Sequence, residues 1–90
     1  MKFEWDKNKA KINLEKHRVS FEEAETVFED DFTVTIVDDE HSFEEQRFIT
    51  IGQSLAGRLL IVSHTFEEET IRLISARKPT KGERDSYENG

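Results

Sequence analysis

Between Glu29 and Phe32 the apolar residues of this chain change period, and that switch limits what it can fold into. Upstream, Ala10, Leu14 and His17 fall at i, i+4 and i+7 on one face of a helix over residues 7–17. Phe21, Ala24 and Phe28 do the same for a second helix ending near Glu29. Downstream the pattern alternates: Phe32, Val34 and Ile36 are separated by Thr33 and Thr35, as in a half-buried strand rich in β-branched residues. Residues 38–45 form a polar loop, and residues 47–53, 58–66 and 70–78 supply three further strands. Four sequential strands with short connections are most simply an antiparallel meander. Asp6 is placed to cap the first helix, and Ser20 with Glu23 has the capping-box spacing for the second. Thr80 and Glu83 repeat that spacing after Pro79, so a short terminal helix to about Glu88 follows, weakened by Gly82. Phe3-Glu4-Trp5 reads as a short strand or an apolar anchor. The expected class is α+β: two N-terminal helices packed on a four-stranded antiparallel sheet, with a short C-terminal helix.

Ninety residues suffice for one small domain, expected to span 1–90, and seven Phe, one Trp and the Ile/Val/Leu runs suffice for one core. Without Cys there is no disulfide framework, thiolate metal site or cysteine nucleophile, which fits a reducing cytoplasm. The longest apolar run, Leu59 to Val62, is far too short to cross a bilayer, and a charged sequence follows Met1. A cytoplasmic protein with no membrane partner is expected. The net charge of −7 divides unevenly. Residues 1–18 carry six basic and three acidic side chains, residues 19–45 carry none and eleven, and residues 46–90 carry seven and six. Overall acidity argues against a general nucleic-acid coat but leaves room for a small basic groove on an acidic body. The acidic block is either a surface for a basic protein partner or a solvated face.

No Gly-rich phosphate loop, His-Glu-x-x-His or Gly-x-Ser-x-Gly motif is present. His41 beside Asp38, Asp39 and Glu40 fits a solvated loop better than a metal site, and no metal or other cofactor is expected. What remains are arginines and histidines in or beside strands. Arg58 and His64 are six apart, so they share a strand face with Leu60 and Val62. Arg72 and Arg77 point to opposite faces if their strand is regular, an arrangement that a bulge near Ala76 would change. His17 ends the first helix, where it is either packed beneath the second helix or catalytic. Arg47 and Arg72 are either RNA contacts or ion-pair partners of the acidic block. Arg77, Lys78, Lys81 and Arg84 cluster after a strand end with Tyr87 nearby. These residue types suffice for metal-free RNA cleavage: a base for the 2′-hydroxyl, a cation for the phosphorane, an acid for the leaving oxygen, and an aromatic ring to stack on a base.

The chain resembles the BrnT family of bacterial type II toxins. The resemblance runs through Phe3-Glu4-Trp5-Asp6, Asn13, Lys16-His17, Val19 to Ala24, Val27-Phe28, Arg47, Ile51-Gly52, Gly57-Arg58 and Val62 to Thr65. Its most specific part is Arg72-Leu73-Ile74-Ser75-Ala76-Arg77 followed by Glu83-Arg84 and Tyr87-Glu88. The sequence departs from the family pattern at Arg18, where Gly would allow a left-handed turn, and in its acidity. The resemblance implies a RelE-like fold and a ribonuclease that blocks translation. It also implies a cognate BrnA-like antitoxin that neutralises the toxin and binds operator DNA, so that this chain reaches the operator only indirectly. On that reading His17, Arg58, His64 and Arg77 flank the scissile phosphate of an RNA substrate. Arg47, Arg72, Lys78, Lys81, Arg84 and Tyr87 then hold the strand. The reading of another class is a catalytically inactive module that complexes the antitoxin and co-represses its operon.

Overall fold

A computed structural model of the chain describes residues 1–89. Its elements in order are β1 (Lys2–Glu4), α1 (Lys7–His17), α2 (Phe21–Thr26) continued by a 3-10 turn (Val27–Glu29), β2 (Val34–Val37), a 3-10 turn (Asp39–His41), β3 (Phe48–Gln53), β4 (Leu59–Glu67), β5 (Thr70–Arg77) and α3 (Lys81–Asn89). The sheet order is β1-β5-β4-β3-β2. Strands β2 to β5 form the expected antiparallel meander, but β1 adds a fifth strand parallel to β5, with Phe3 opposite Ile71. The expectation of a four-stranded, wholly antiparallel sheet is therefore corrected to a five-stranded mixed one. Three residues are too few to show a period in sequence. Position in the sheet is instead set by aromatic packing, with Phe3 against Phe28 at a ring-centroid distance of 5.4 Å and Trp5 edge-on to Phe21 at 5.8 Å.

Asp6 caps α1 as its position suggests, its Oδ1 accepting from the Asn8 and Lys9 N–H groups at 2.8 and 3.1 Å. The buried residue of α1 is Asn13, while Leu14 stays half exposed. The inward face is thus centred one residue from the apolar pattern. Asn13 Nδ2 donates to the carbonyls of Val19 and Ala76, both at 2.9 Å, and its Oδ1 accepts from the Ala76 N–H at 3.0 Å. One amide side chain therefore joins α1, the α1–α2 corner and β5. Arg18 makes that corner in the left-handed region, at φ 60° and ψ 32°, with its N–H donating to Leu14.

The core joins Val19, Phe21, Ala24 and Val27 to Leu60, Val62, Ile71, Leu73 and Ala76 of β4 and β5. Directly opposed residues of an antiparallel pair share a face, so Thr50, Gly52, Leu60 and Val62 all lie under α2. At Gly52 a Cβ would come within 2.6 Å of Thr33 Cγ2 and 3.0 Å of Val27 Cγ1, so only glycine lets residues 27–33 cross β3 this closely. The intervening Ile51 and Ile61 face the other way, toward α3. The two N-terminal helices and α3 thus lie on opposite faces of the sheet.

Candidate nucleic-acid interface

The Asn13 bridge brings the C-terminal end of α1 against the end of β5, and further contacts gather more of the chain there. Arg58, at the entry to β4, donates from Nη2 to the Arg18 carbonyl at 3.1 Å. Its Nε donates to Glu23 Oε2 at 2.9 Å, and Nη2 also pairs with Glu23 Oε1. Lys78 lies near enough to this carboxylate to stabilise its charge. Beyond Pro79, α3 begins at Lys81. One pole of the molecule therefore carries Lys16, His17, Arg18, Arg58, Arg77, Lys78 and Lys81, drawn from four segments. Lys16 and His17 also line a shallow groove with Lys9, Ile74 and Ser75 between α1 and β5. Among the described residues, Lys16, Arg18, Lys78 and Lys81 are exposed and outside the ion pairs.

Among the described residues, Arg58 and Arg77 of the pole's three arginines are occupied by carboxylates and Arg18 is not. Arg77 Nη1 and Nη2 donate to the two carboxylate oxygens of Glu83 at 2.8 and 2.9 Å, a bidentate fork. The Arg77 hydrogen bonds, helped by those from Thr80, hold the Glu83 carboxyl down at about 2. Glu83 also completes the capping box of α3: its Oε1 accepts from the Thr80 N–H at 2.8 Å and its N–H donates to Thr80 Oγ1 at 3.2 Å. In α2 only half of that motif forms. Ser20 Oγ accepts from the Glu23 N–H at 3.0 Å, whereas the Glu23 carboxylate turns to Arg58 and Ser54 instead. Those contacts, Arg58 first, lower the Glu23 pKa, and Glu23 in turn raises that of Arg58. Glu23 and Glu83 were visible in sequence as capping residues and as part of the resemblance, but nothing in their spacing shows which distant arginine they meet.

The other candidates lie elsewhere. His64 is fully buried: Nε2 is 2.7 Å from Thr50 Oγ1, and Phe28, Phe48 and Phe66 surround the ring at centroid distances of 4.9–5.9 Å. Nδ1 has no hydrogen-bond partner. Burial pushes the imidazole pKa down to about 4, only partly opposed by the Thr65 backbone. It shares a face with Leu60 and Val62, as its spacing requires, but it has no surface with which to meet RNA. Arg72 sits toward the opposite end of β5, paired with Glu4 at 3.2 Å. The bulge that affects its direction is at Ile74, which is skipped between the Ser63–Ser75 and His64–Leu73 pairs. Arg72 lies opposite Thr65 and Arg77 opposite Ile61, four residues apart on β4, so the two arginines share a face. Arg47 precedes β3 at the end away from the pole, in a pocket with His41, Phe43, Glu44 and Glu45. Tyr87 donates its hydroxyl to the Phe32 carbonyl at 2.9 Å, which leaves exposed Arg84 without it. Among the described residues no three His, Asp or Glu side chains converge as metal ligands, and no helix is long and apolar enough to cross a membrane.

A family model described as "Ribonuclease toxin, BrnT, of type II toxin-antitoxin system" matches residues 5–83. The chain belongs to the BrnT family. Among solved structures it is similar to the crystal structure of the Brucella abortus ribonuclease toxin BrnT, with a TM-score of 0.64 and 23% identity over 90% of this chain and 99% of that one. That likeness shows the BrnT fold, including the α+β arrangement described above. No curated protein matches the chain. BrnT membership makes this chain one of a family of ribonuclease toxins and implies an antitoxin as partner.

Proposed function

We propose that this chain is a metal-independent endoribonuclease that blocks translation by cutting RNA at the basic pole. The observation carrying this reading is the Asn13 bridge that sets the end of α1, with Lys16, His17 and Arg18, against the end of β5, where Lys78 and Lys81 follow; the four Lys and Arg among these lie outside the described ion pairs. Affinity for RNA is mostly phosphate contact, and exposed cations on fixed elements supply it. His17 is the imidazole at the pole, and its ring nitrogen is the group proposed to take the proton of a 2′-hydroxyl. The 2′-oxygen then attacks the adjacent phosphorus, the P–O5′ bond breaks, and the 5′-oxygen takes its proton from solvent water. The products are a 2′,3′-cyclic phosphate and a 5′-hydroxyl. The lysines, with Arg77 once Glu83 gives way, neutralise the charge that develops on the phosphorane, which is chemistry that needs no metal. A cognate BrnA-like antitoxin neutralises the enzyme and links it to operator DNA.

The occupied state of Arg58 and Arg77 favours a second reading, an inactive module whose purpose is to bind the antitoxin and co-repress its operon. Induced expression without antitoxin, scored for growth arrest, together with cleavage of purified RNA in excess EDTA, separates the two. Cleavage that is lost in a folded His17→Ala chain supports the enzyme. An inert wild-type chain overturns it.

A further inference from the structure

Strand β2 forms one edge of the sheet, and all four of its residues are exposed. Proteins usually blunt such an edge with Lys, Pro, a bulge or an inward charge, and Val34-Thr35-Ile36-Val37 has none of these. The direction of its backbone groups follows from one hydrogen bond. The Asp38 N–H donates to the Arg47 carbonyl at 2.8 Å, and this pair continues the register that sets Val37 opposite Phe48. Hydrogen-bonded and non-bonded pairs alternate along an antiparallel ladder. Ile36–Ile49 and Val34–Ile51 are therefore bonded pairs, and the N–H and C=O groups of Thr35 and Val37 point away from β3. Among the described residues no segment pairs with that edge.

The surface beside the edge is apolar and its rims are acidic. Val34 and Ile36, 50% and 57% exposed, share a face with Ile49, Ile51 and Ile61, and α3 closes the far side of an open groove of about 480 Å³. Asp30 and Asp31 stand before the strand and Asp38, Asp39 and Glu40 after it, and these five carboxylates outnumber Arg47, which lies across from Asp38. A second copy of the chain meeting this edge would set acidic rim against acidic rim, or leave the rims unmatched. A segment with basic ends is the complementary occupant.

We propose that β2 accepts an extended segment of the cognate antitoxin as a sixth strand, adding to the sheet by backbone hydrogen bonds. Alternate apolar side chains of that segment enter the groove beside Val34 and Ile36, and Lys or Arg at its ends meet the acidic rims. This inference rests on the antitoxin partner implied by the family and not on the RNA-cleavage reading. The test is amide hydrogen exchange on the full chain, alone and with its purified cognate antitoxin. In the complex, exchange at Thr35 and Val37 is expected to slow by about tenfold or more. Val37→Pro removes an outward N–H without touching the bonds to β3 and is expected to weaken the complex about fivefold. Ile36→Lys, an exposed change that leaves the backbone intact, is expected to weaken it at least as much, and a Glu40→Lys, Asp39→Lys pair less so. A complex of unchanged affinity in all three variants, or one in which Thr35 and Val37 remain unprotected, overturns the proposal. So does the absence of any complex. Protection of the same amides in the free chain as its concentration rises assigns the edge to a second copy and also overturns it. RNA cleavage by the uncomplexed chain is expected to be the same with and without the β2 substitutions, which keeps the two readings separable.

Discussion

Arg18 holds a left-handed conformation that costs a side-chain-bearing residue about 1–2 kcal/mol, against a smaller entropic cost for glycine in the same place. The turn that a glycine would make without that cost is therefore kept here under strain, supported by the Leu14 carbonyl and by the Arg58 bond to the Arg18 carbonyl. Both contacts are to backbone and survive substitution. Arg18→Gly is expected to raise stability by about 0.5–1 kcal/mol in urea unfolding, and a lowered midpoint would contradict the account. His64 offers a second test at this scale. Its folded pKa of about 4 lies below the ordinary 6.5, so the unfolded chain binds the proton first. The stability it contributes is complete above pH 6.5 and is lost as pH falls from there toward 4, by at most about 3 kcal/mol at 1.36 kcal/mol per unit. His64→Leu is expected to flatten this limb, since Thr50 keeps its bond to Thr35 Oγ1 at 2.7 Å. An unchanged slope between pH 6.5 and 5 would show that another group titrates there. Sequence placed His64 on its face correctly, but the aromatic box that removes it from solvent draws on residues 28, 48 and 66, and pattern alone does not bring those together.

The strands β2 to β5 and the three helices were legible because each has its own period or caps. What was not legible came from contacts between elements. The parallel partner of β1 lies 68 residues away, the bulge at Ile74 needs β4 to define it, and the inward face of α1 is set by the amide of Asn13 instead of by Leu14. Gly52 belongs to the same class. Gly52→Ala leaves the strand pattern intact yet forces Thr33 and Val27 aside, and is expected to cost about 1–3 kcal/mol as an overpacked site. A loss under 0.5 kcal/mol in chemical denaturation would mean that residues 27–33 move freely away from β3. Helix α3 is the element on which the proposed activity turns, because Glu83 both caps it and holds Arg77. In Glu83→Gln the amide can still cap, but the charge that occupies the guanidinium is gone. RNA affinity is expected to rise two- to fivefold in filter binding, for a stability loss below about 1 kcal/mol at this partly exposed pair. Adding Arg77→Ala should cancel the gain. A gain that persists without Arg77 would assign it to the helix and not to the freed arginine.

At the scale of the whole molecule the main feature is the separation of charge, with a pole of exposed lysines on a chain of net charge −7. If the proposed RNA binding holds, the acidic segment between Val19 and Gln46 should repel RNA from its own surface, so that binding is expected at the pole and salt-sensitive in proportion to the few contacts made there. Each phosphate neutralised on a single strand contributes about −0.7 to the slope of log affinity against log salt. If Lys16, Arg18, Lys78 and Lys81 each meet one phosphate, the slope is expected near −3, well short of that of a basic nucleic-acid coat. Lys78→Ala and Lys81→Ala should each make it shallower by about 0.7 and weaken binding across RNA sequences alike. Arg47→Ala and Arg72→Ala, which alter cations away from the pole, should leave it unchanged. Equilibrium binding of a short single-stranded RNA between about 50 and 200 mM salt, with His17→Ala used to prevent cleavage, measures all five slopes. If the change follows Arg47 or Arg72 instead, RNA crosses the other end of the sheet and the pole has some other partner.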